Sequence, residues 1–231
     1  MSQVIEVIER IEVPEPPTDL PYEDGEPMES NWHRLQIALL VELIHRLWPG
    51  RTDFFVGGNM FIYYSARQVR DQDYKGPDFF VAKDVDGSYD RDSWIAWEED
   101  LRLPDVIVEL LSPKTASQDL GPKKRLYERV FKTPDYFCCA KGATSLQGWR
   151  LREGRYAPLT PNEDGRLWSE ELQAWIGPWP GEYHGTTATW LRFFFPDGTL
   201  VPTNAEAERQ RAEAAEAEIA RLRAELERLK G

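Results

Sequence analysis

Two apolar runs, each carrying a carboxylate, constrain this chain most. Asp78 stands in Gly76-Pro77-Asp78-Phe79-Phe80-Val81, and Glu109, 31 residues later, in Pro104-Asp105-Val106-Ile107-Val108-Glu109-Leu110-Leu111-Ser112. β-branched and aromatic residues dominate both runs, which therefore read as buried strands. An acid at such a position is costly unless it is paired, hydrogen-bonded or bound to a cation, so the pair points to a divalent metal site. The plainer readings are that Asp78 is a turn residue before its strand and that Glu109 is an inward acid satisfied by a partner.

No run is long and apolar enough to span a bilayer, and Met1-Ser2-Gln3-Val4-Ile5-Glu6 lacks the basic start and apolar stretch of a secretion signal. A cytoplasmic protein without a membrane partner is expected. Cys138 and Cys139 are adjacent within an apolar run and read as small core residues. His33, His45 and His184 are scattered, which argues against structural zinc.

The net charge of −12 is unevenly spread: residues 1–30 carry −8 and residues 205–231 carry −1, leaving −3 for the stretch between. That central stretch can still hold a basic groove for DNA. Lys114, Lys123, Lys124, Arg125, Arg129 and Lys132 cluster after the second run, either as such a groove or as a solvated helix face.

Residues 1–29, acidic and proline-rich, read as an extended arm outside the core. Ser30 is a suitable N-cap for an amphipathic helix with Leu35, Leu39, Leu43, Ile44 and Leu47 on one face, stopped by Pro49-Gly50. Extended segments are expected at 54–56, 60–64, 78–82 and 105–111, with a polar loop from Lys83 to Asp100. A helix opening near Asp119 to Pro122 and ending before Pro134 leads to a strand at 137–140 and a hairpin at 147–159. This order predicts an α/β or α+β domain over 30–202, built around one mixed sheet flanked by helices.

Residues 203–231 form a separate unit, a helix without proline. Ala212, Ala215, Ile219, Leu222, Leu226 and Leu229 alternate spacings of three and four, the seam of a coiled coil. An isolated helix of this kind is marginal, so it should pair with a second copy, another chain or its own domain; self-association is the favoured reading.

If Asp78 and Glu109 share a cation, hard oxygen ligands favour Mg²⁺ or Mn²⁺ and suit phosphoryl chemistry. A lysine that orients or activates water would belong at position 111, on the same strand face as Glu109, but that position is leucine. Lys123 is the substitute, since helical spacing sets it above Leu126 and Tyr127, toward the sheet, with Lys124 rotated away. A salt bridge from Lys123 to Asp119 is the structural alternative. Glu42, on the edge of the first helix's apolar face, is a further acid, with Glu29 and His33 as competitors.

Together Gly-Pro-Asp, the Pro-Asp-Val-Ile-Val-Glu-Leu-Leu-Ser-Pro run, Asp119-x3-Lys123-x3-Tyr127 and Thr133-Pro134-Asp135-Tyr136 resemble the Uma-type bacterial family, over roughly residues 20–200. The resemblance implies a restriction endonuclease-like PD-(D/E)XK core, with Asp78 and Glu109 as metal ligands and Lys123 as the displaced lysine. Leu111 departs from the general pattern, as it does in that family. The expected function is a metal-dependent endonuclease acting on DNA, with Lys114, Lys124 and Arg125 toward the nucleic acid and a homodimer through the tail. The alternative is an inactive nuclease-fold module that binds nucleic acid or a protein partner.

Overall fold

Strict alternation of side chains across the central strands divides the core in two. The computed structural model describes residues 30–65, 67–68 and 76–230. Helix α1 (Asn31–Leu47) precedes strands β1 (Phe54–Gly58), β2 (Ile62–Tyr63), β3 (Phe79–Lys83), β4 (Trp94–Ile95) and β5 (Val106–Leu111). Helix α2 (residues 116–131) follows, then β6 (Asp135–Ala140), β7 (Leu146–Arg152), β8 (Arg155–Pro158), β9 (Leu167–Ser169), β10 (Ala174–Tyr183), β11 (Thr186–Phe194) and helix α3 (Asn204–Lys230). The architecture is mixed α/β, with a six-stranded sheet in the order β1-β3-β5-β6-β7-β8 and a three-stranded sheet in the order β11-β10-β9. Within the large sheet only β5 and β6 run parallel, with α2 as their crossover; the other neighbours are antiparallel.

Period two sorts the strand residues between the halves of the core. Phe79, Val81, Val106, Val108, Leu110, Phe137 and Cys139 pack with α1 and the small sheet. Phe80, Ala82, Ile107, Leu111, Tyr136 and Cys138 face the other way, against Tyr127 and Phe131 of α2 and Trp94 of β4. The adjacent cysteines thus lie on opposite faces as free, buried thiols. On α1, Ser30 caps the first turn by accepting the His33 N–H at 3.4 Å. Gln36, fully buried, accepts the Leu191 N–H at 2.8 Å and donates to the Leu191 carbonyl at 2.9 Å, tying the helix to β11.

Two local expectations are corrected. The stretch 83–100 is not only a polar loop: Trp94 is fully buried and pairs with β2, and buried Arg91 bonds Glu99 at 2.6 Å beneath the Tyr89 ring. The helix expected to open at Asp119 to Pro122 begins at Ala116, which places Pro122 in its interior. Proline has no N–H for the carbonyl four residues back, and the chain absorbs this by winding Asp119–Lys123 as a π turn. A second π turn, Tyr127–Phe131, closes the helix at left-handed Lys132.

Helix α3 starts with a capping box. Glu206 accepts the Thr203 N–H at 2.7 Å, and Thr203 Oγ1 accepts the Glu206 N–H at 3.2 Å. Arg192, 1% exposed on β11, clamps the same Glu206 at 2.7 Å. Beyond Ala207 the helix leaves the domain, and no further residue of it is buried. Among the described residues no helix is long and apolar enough to cross a membrane. The arm 1–29 lies outside the described residues.

Candidate active site

Pro77 ends the β3–β5 ladder and so creates the first part of the site. The last register pair is Phe79 with Val108, and the next antiparallel position would set Leu110 opposite Pro77, which has no N–H. Asp78 Oδ2 fills the gap by accepting the Leu110 N–H at 2.7 Å. His33 of α1 takes the other end of the same residue, Nε2 meeting the Leu110 carbonyl at 3.0 Å. A carbonyl only accepts, so Nε2 carries the proton. His33 Nδ1 meets Ser30 Oγ at 3.0 Å, which holds the ring in place.

Glu109 is fully buried at the carboxyl end of β5, on the α2 face of the sheet. Its Oε1 accepts the Tyr127 hydroxyl at 2.8 Å and the Lys123 ammonium at 3.1 Å, and its Oε2 accepts the Asp78 N–H at 3.4 Å. Burial pushes the Glu109 carboxyl up to about 8; Lys123 opposes the shift, while Asp78 and Asp119 add to it. Burial likewise raises Asp78 against the pull of the Leu110 N–H. Burial alone would lower Lys123, yet Glu109, Asp119 and Asp78 outweigh it and hold the ammonium above its ordinary value. Lys123 is therefore a cation at neutral pH.

The π turn brings a third acid to the same ammonium. Asp119, 1% exposed, sets Oδ1 3.1 Å from Lys123 Nζ, and that oxygen is buried without a hydrogen bond. Lys123 also donates to the Gly76 carbonyl at 3.3 Å. A Cβ at Gly76 would lie 2.9 Å from the Met60 carbonyl oxygen, so a side chain there would displace the strand entry. Asp78, Glu109 and Asp119 thus face a single lysine. This surplus of buried carboxylate suits a hard divalent cation, and Asp78 with Glu109 would hold it. Among the described residues no three His, Cys, Asp or Glu side chains converge as a metal cage. Mg²⁺ commonly takes one or two carboxylates and keeps its waters, so a pair is enough.

The structure does not bring every expected residue to this place. Glu42 belongs to another one: its Oε1 accepts the Asn204 N–H at 2.7 Å and its Oε2 the Tyr183 hydroxyl at 3.2 Å, so it caps α3. It stands on the edge of the α1 apolar face, and that edge faces the small sheet and the start of α3. Glu29 lies outside the described residues. Lys114 and Arg125 are exposed on the α2 side, whereas Lys124 stands 3.4 Å from the centroid of Trp149. Tyr127 joins the site from the apolar face of α2 and Asp119 through its ion pair with Lys123; the sequence signal common to both is the spacing of four on either side of Lys123.

One acid near the carboxyl end of β5, a second just before β3 and a third with the lysine on the helical crossover, all around a mixed sheet, fit the class of restriction endonuclease-like proteins. Residues 6–179 match the Uma2 family, described as "Putative restriction endonuclease", and the chain belongs to that family. The match starts inside the acidic arm and stops within β10. No curated protein matches the chain. Among solved structures, a "putative nuclease belonging to DUF820 from Anabaena variabilis ATCC 29413" is 15% identical, with a TM-score of 0.44 over 65% of this chain and 81% of that one.

Proposed function

We infer that the protein is a metal-dependent endonuclease that hydrolyses phosphodiester bonds in DNA. The observation that carries this reading is the buried set of Asp78, Glu109 and Asp119 around the single cation Lys123, within a chain of the Uma2 family. Asp78 and Glu109 would hold Mg²⁺ or Mn²⁺, which when bound supplies polarisation of the phosphate and a more acidic water. Tyr127 fixes one oxygen of Glu109, and the Leu110 N–H fixes one of Asp78, so both carboxylates are oriented before substrate arrives. Lys123 works as a charge, because its neighbours keep it protonated: it orients water by hydrogen bonding and stabilises negative charge on phosphate oxygens. Asp119 positions Lys123. His33, by holding the Leu110 carbonyl, keeps that main-chain unit in line for Asp78. Exposed Lys114 and Arg125 supply positive charge for the DNA backbone.

Titration calorimetry with Mg²⁺ and Mn²⁺, and plasmid cleavage on the same samples, tests the reading. The Asp78→Ala/Glu109→Ala variant should lose metal binding and at least about 10³-fold in cleavage rate, with near-ultraviolet dichroism unchanged. Wild-type turnover by that variant sinks the assignment. DNA binding without turnover in the metal-loaded wild type selects the non-enzymatic module.

A further inference from the structure

Helix α3 leaves the domain with an uncovered apolar stripe. Ile219 is 49% exposed, Leu222 51%, Leu226 53% and Leu229 83%. We propose that this stripe is the seam of a parallel, in-register, two-stranded coiled coil between two copies of this chain.

The charges beside the seam choose the occupant and its direction. With Ala212, Ile219 and Leu226 at a, and Ala215, Leu222 and Leu229 at d, the g positions are Arg211, Glu218 and Glu225 and the e positions are Glu216, Arg223 and Lys230. In a parallel pair each g residue faces the e residue five positions later on the other strand. Arg211 then meets Glu216, Glu218 meets Arg223 and Glu225 meets Lys230, opposite charges at every step and twice over by symmetry. Antiparallel pairing of the same seam, with Ile219 against Leu222, sets Glu218 against Glu225 of the second copy twice and Glu216 against Arg223 twice, so repulsion offsets attraction where the parallel pair has attraction alone. Isoleucine at a with leucine at d favours two parallel strands. Among the described residues Glu218 pairs with Arg221, at 2.8 Å, and Lys230 with Glu227, at 3.5 Å; both are exposed pairs that release at little cost.

The anchorage of α3 gives this interface a consequence for the whole molecule. Glu206 is gripped by buried Arg192, and Glu42 caps the Asn204 N–H, so the helix leaves the domain in a set direction. The 27 residues span about 40 Å. Parallel pairing holds both domains at the same end of that rod, whereas antiparallel pairing would put a rod length between them.

Sedimentation equilibrium of the full chain, from about 10 µM to about 1 mM, reads the association. The weight-average mass should rise from the 26.8 kDa of one chain toward twice that value. Glu218→Arg and Arg223→Glu should each weaken association about tenfold, from two attractive contacts turned repulsive. An equimolar mixture of the two variants should restore it, because their strands are complementary to each other. Leu229→Cys should form an intermolecular disulfide under mild oxidation. A chain that stays monomeric at the highest concentration overturns the proposal. So does tighter association of Glu218→Arg, the antiparallel signature, or indifference to both charge variants, which would locate the contact elsewhere.

Discussion

The two ends of the central sheet are built from the same dipeptide and differ in their charge balance. Pro77-Asp78, Pro104-Asp105 and Pro134-Asp135 lead into β3, β5 and β6; at the first two, proline stops the β3–β5 ladder and aspartate takes up the main-chain donor opposite it, Leu110 N–H and Lys83 N–H. Because β3 runs against β5 and β6, Asp78 lies at one end of the sheet while Asp105 and Asp135 lie at the other. At that other end, Asp105 accepts the Lys83 N–H at 2.7 Å. Asp135 accepts Arg150 at 3.0 Å, the Ser169 hydroxyl at 2.7 Å and the Glu171 N–H at 3.0 Å. Glu171 in turn pairs with Arg150 at 2.6 Å and with Lys83. Three acids there meet two side-chain cations, a hydroxyl and main-chain donors. At the Asp78 end three acids meet one lysine, one tyrosine and the Leu110 and Asp78 N–H groups, so one side-chain cation serves three acids and an Asp119 oxygen is left without a hydrogen bond. A balanced cluster holds a fold together, whereas the acid surplus is what supports the metal site proposed above.

The largest expected effect on stability lies at the balanced end. Asp135→Ala removes the acceptor of three donors and leaves Arg150 with Glu171 alone, so a loss of about 3–5 kcal/mol is expected in urea denaturation. Mg²⁺ affinity of the molecules that remain folded should be unchanged. Equal loss of metal affinity and stability would erase the distinction between the two ends.

Glu109→Gln sharpens it through pH. In the metal-free protein Glu109 titrates near 8, well above its unfolded value, so between those two points the folded state holds a proton that the unfolded state has released. Stability should therefore fall as pH rises from about 5 to about 8, by a total on the order of 2–4 kcal/mol. The Lys123 shift acts above the ordinary lysine range, outside this window. Burial lifts Asp135 in the same direction, so wild type and variant should share that part of the slope. Glu109→Gln keeps an acceptor for Tyr127 and Lys123 but cannot ionise. Its stability should match wild type near pH 5 and exceed it at pH 9, with metal binding lost. Parallel pH profiles of the two proteins would show that Glu109 is an ordinary ion-paired acid.

The smallest effect concerns Tyr127→Phe. Loss of one buried hydrogen bond to a carboxylate should cost about 1–2 kcal/mol, and cleavage should fall by less than in the Asp78→Ala/Glu109→Ala variant. A stability loss with no change in rate at saturating Mg²⁺ would confine Tyr127 to packing.

Local rules made much of this molecule legible in the sequence. Period two put Leu111 on the face of Glu109, helical spacing turned Lys123 toward the sheet, Ser30 marked the start of α1, and the alternation of three and four marked the apolar stripe of α3. Each depends on neighbours within a few residues, where covalent geometry sets direction. Glu42 and Asp119 were separable only in three dimensions. Both are acids beside an apolar helix face, and their roles depend on which sheet that face packs against. The same holds for the three Pro-Asp pairs, alike in composition and divided by strand direction, and for Trp94, whose burial depends on pairing with β2. Sequence by itself determined which side chains share a face. Tertiary structure alone decided which faces meet and where acid is left in excess, because burial and charge balance are set by strand order and long-range register, which no local pattern encodes.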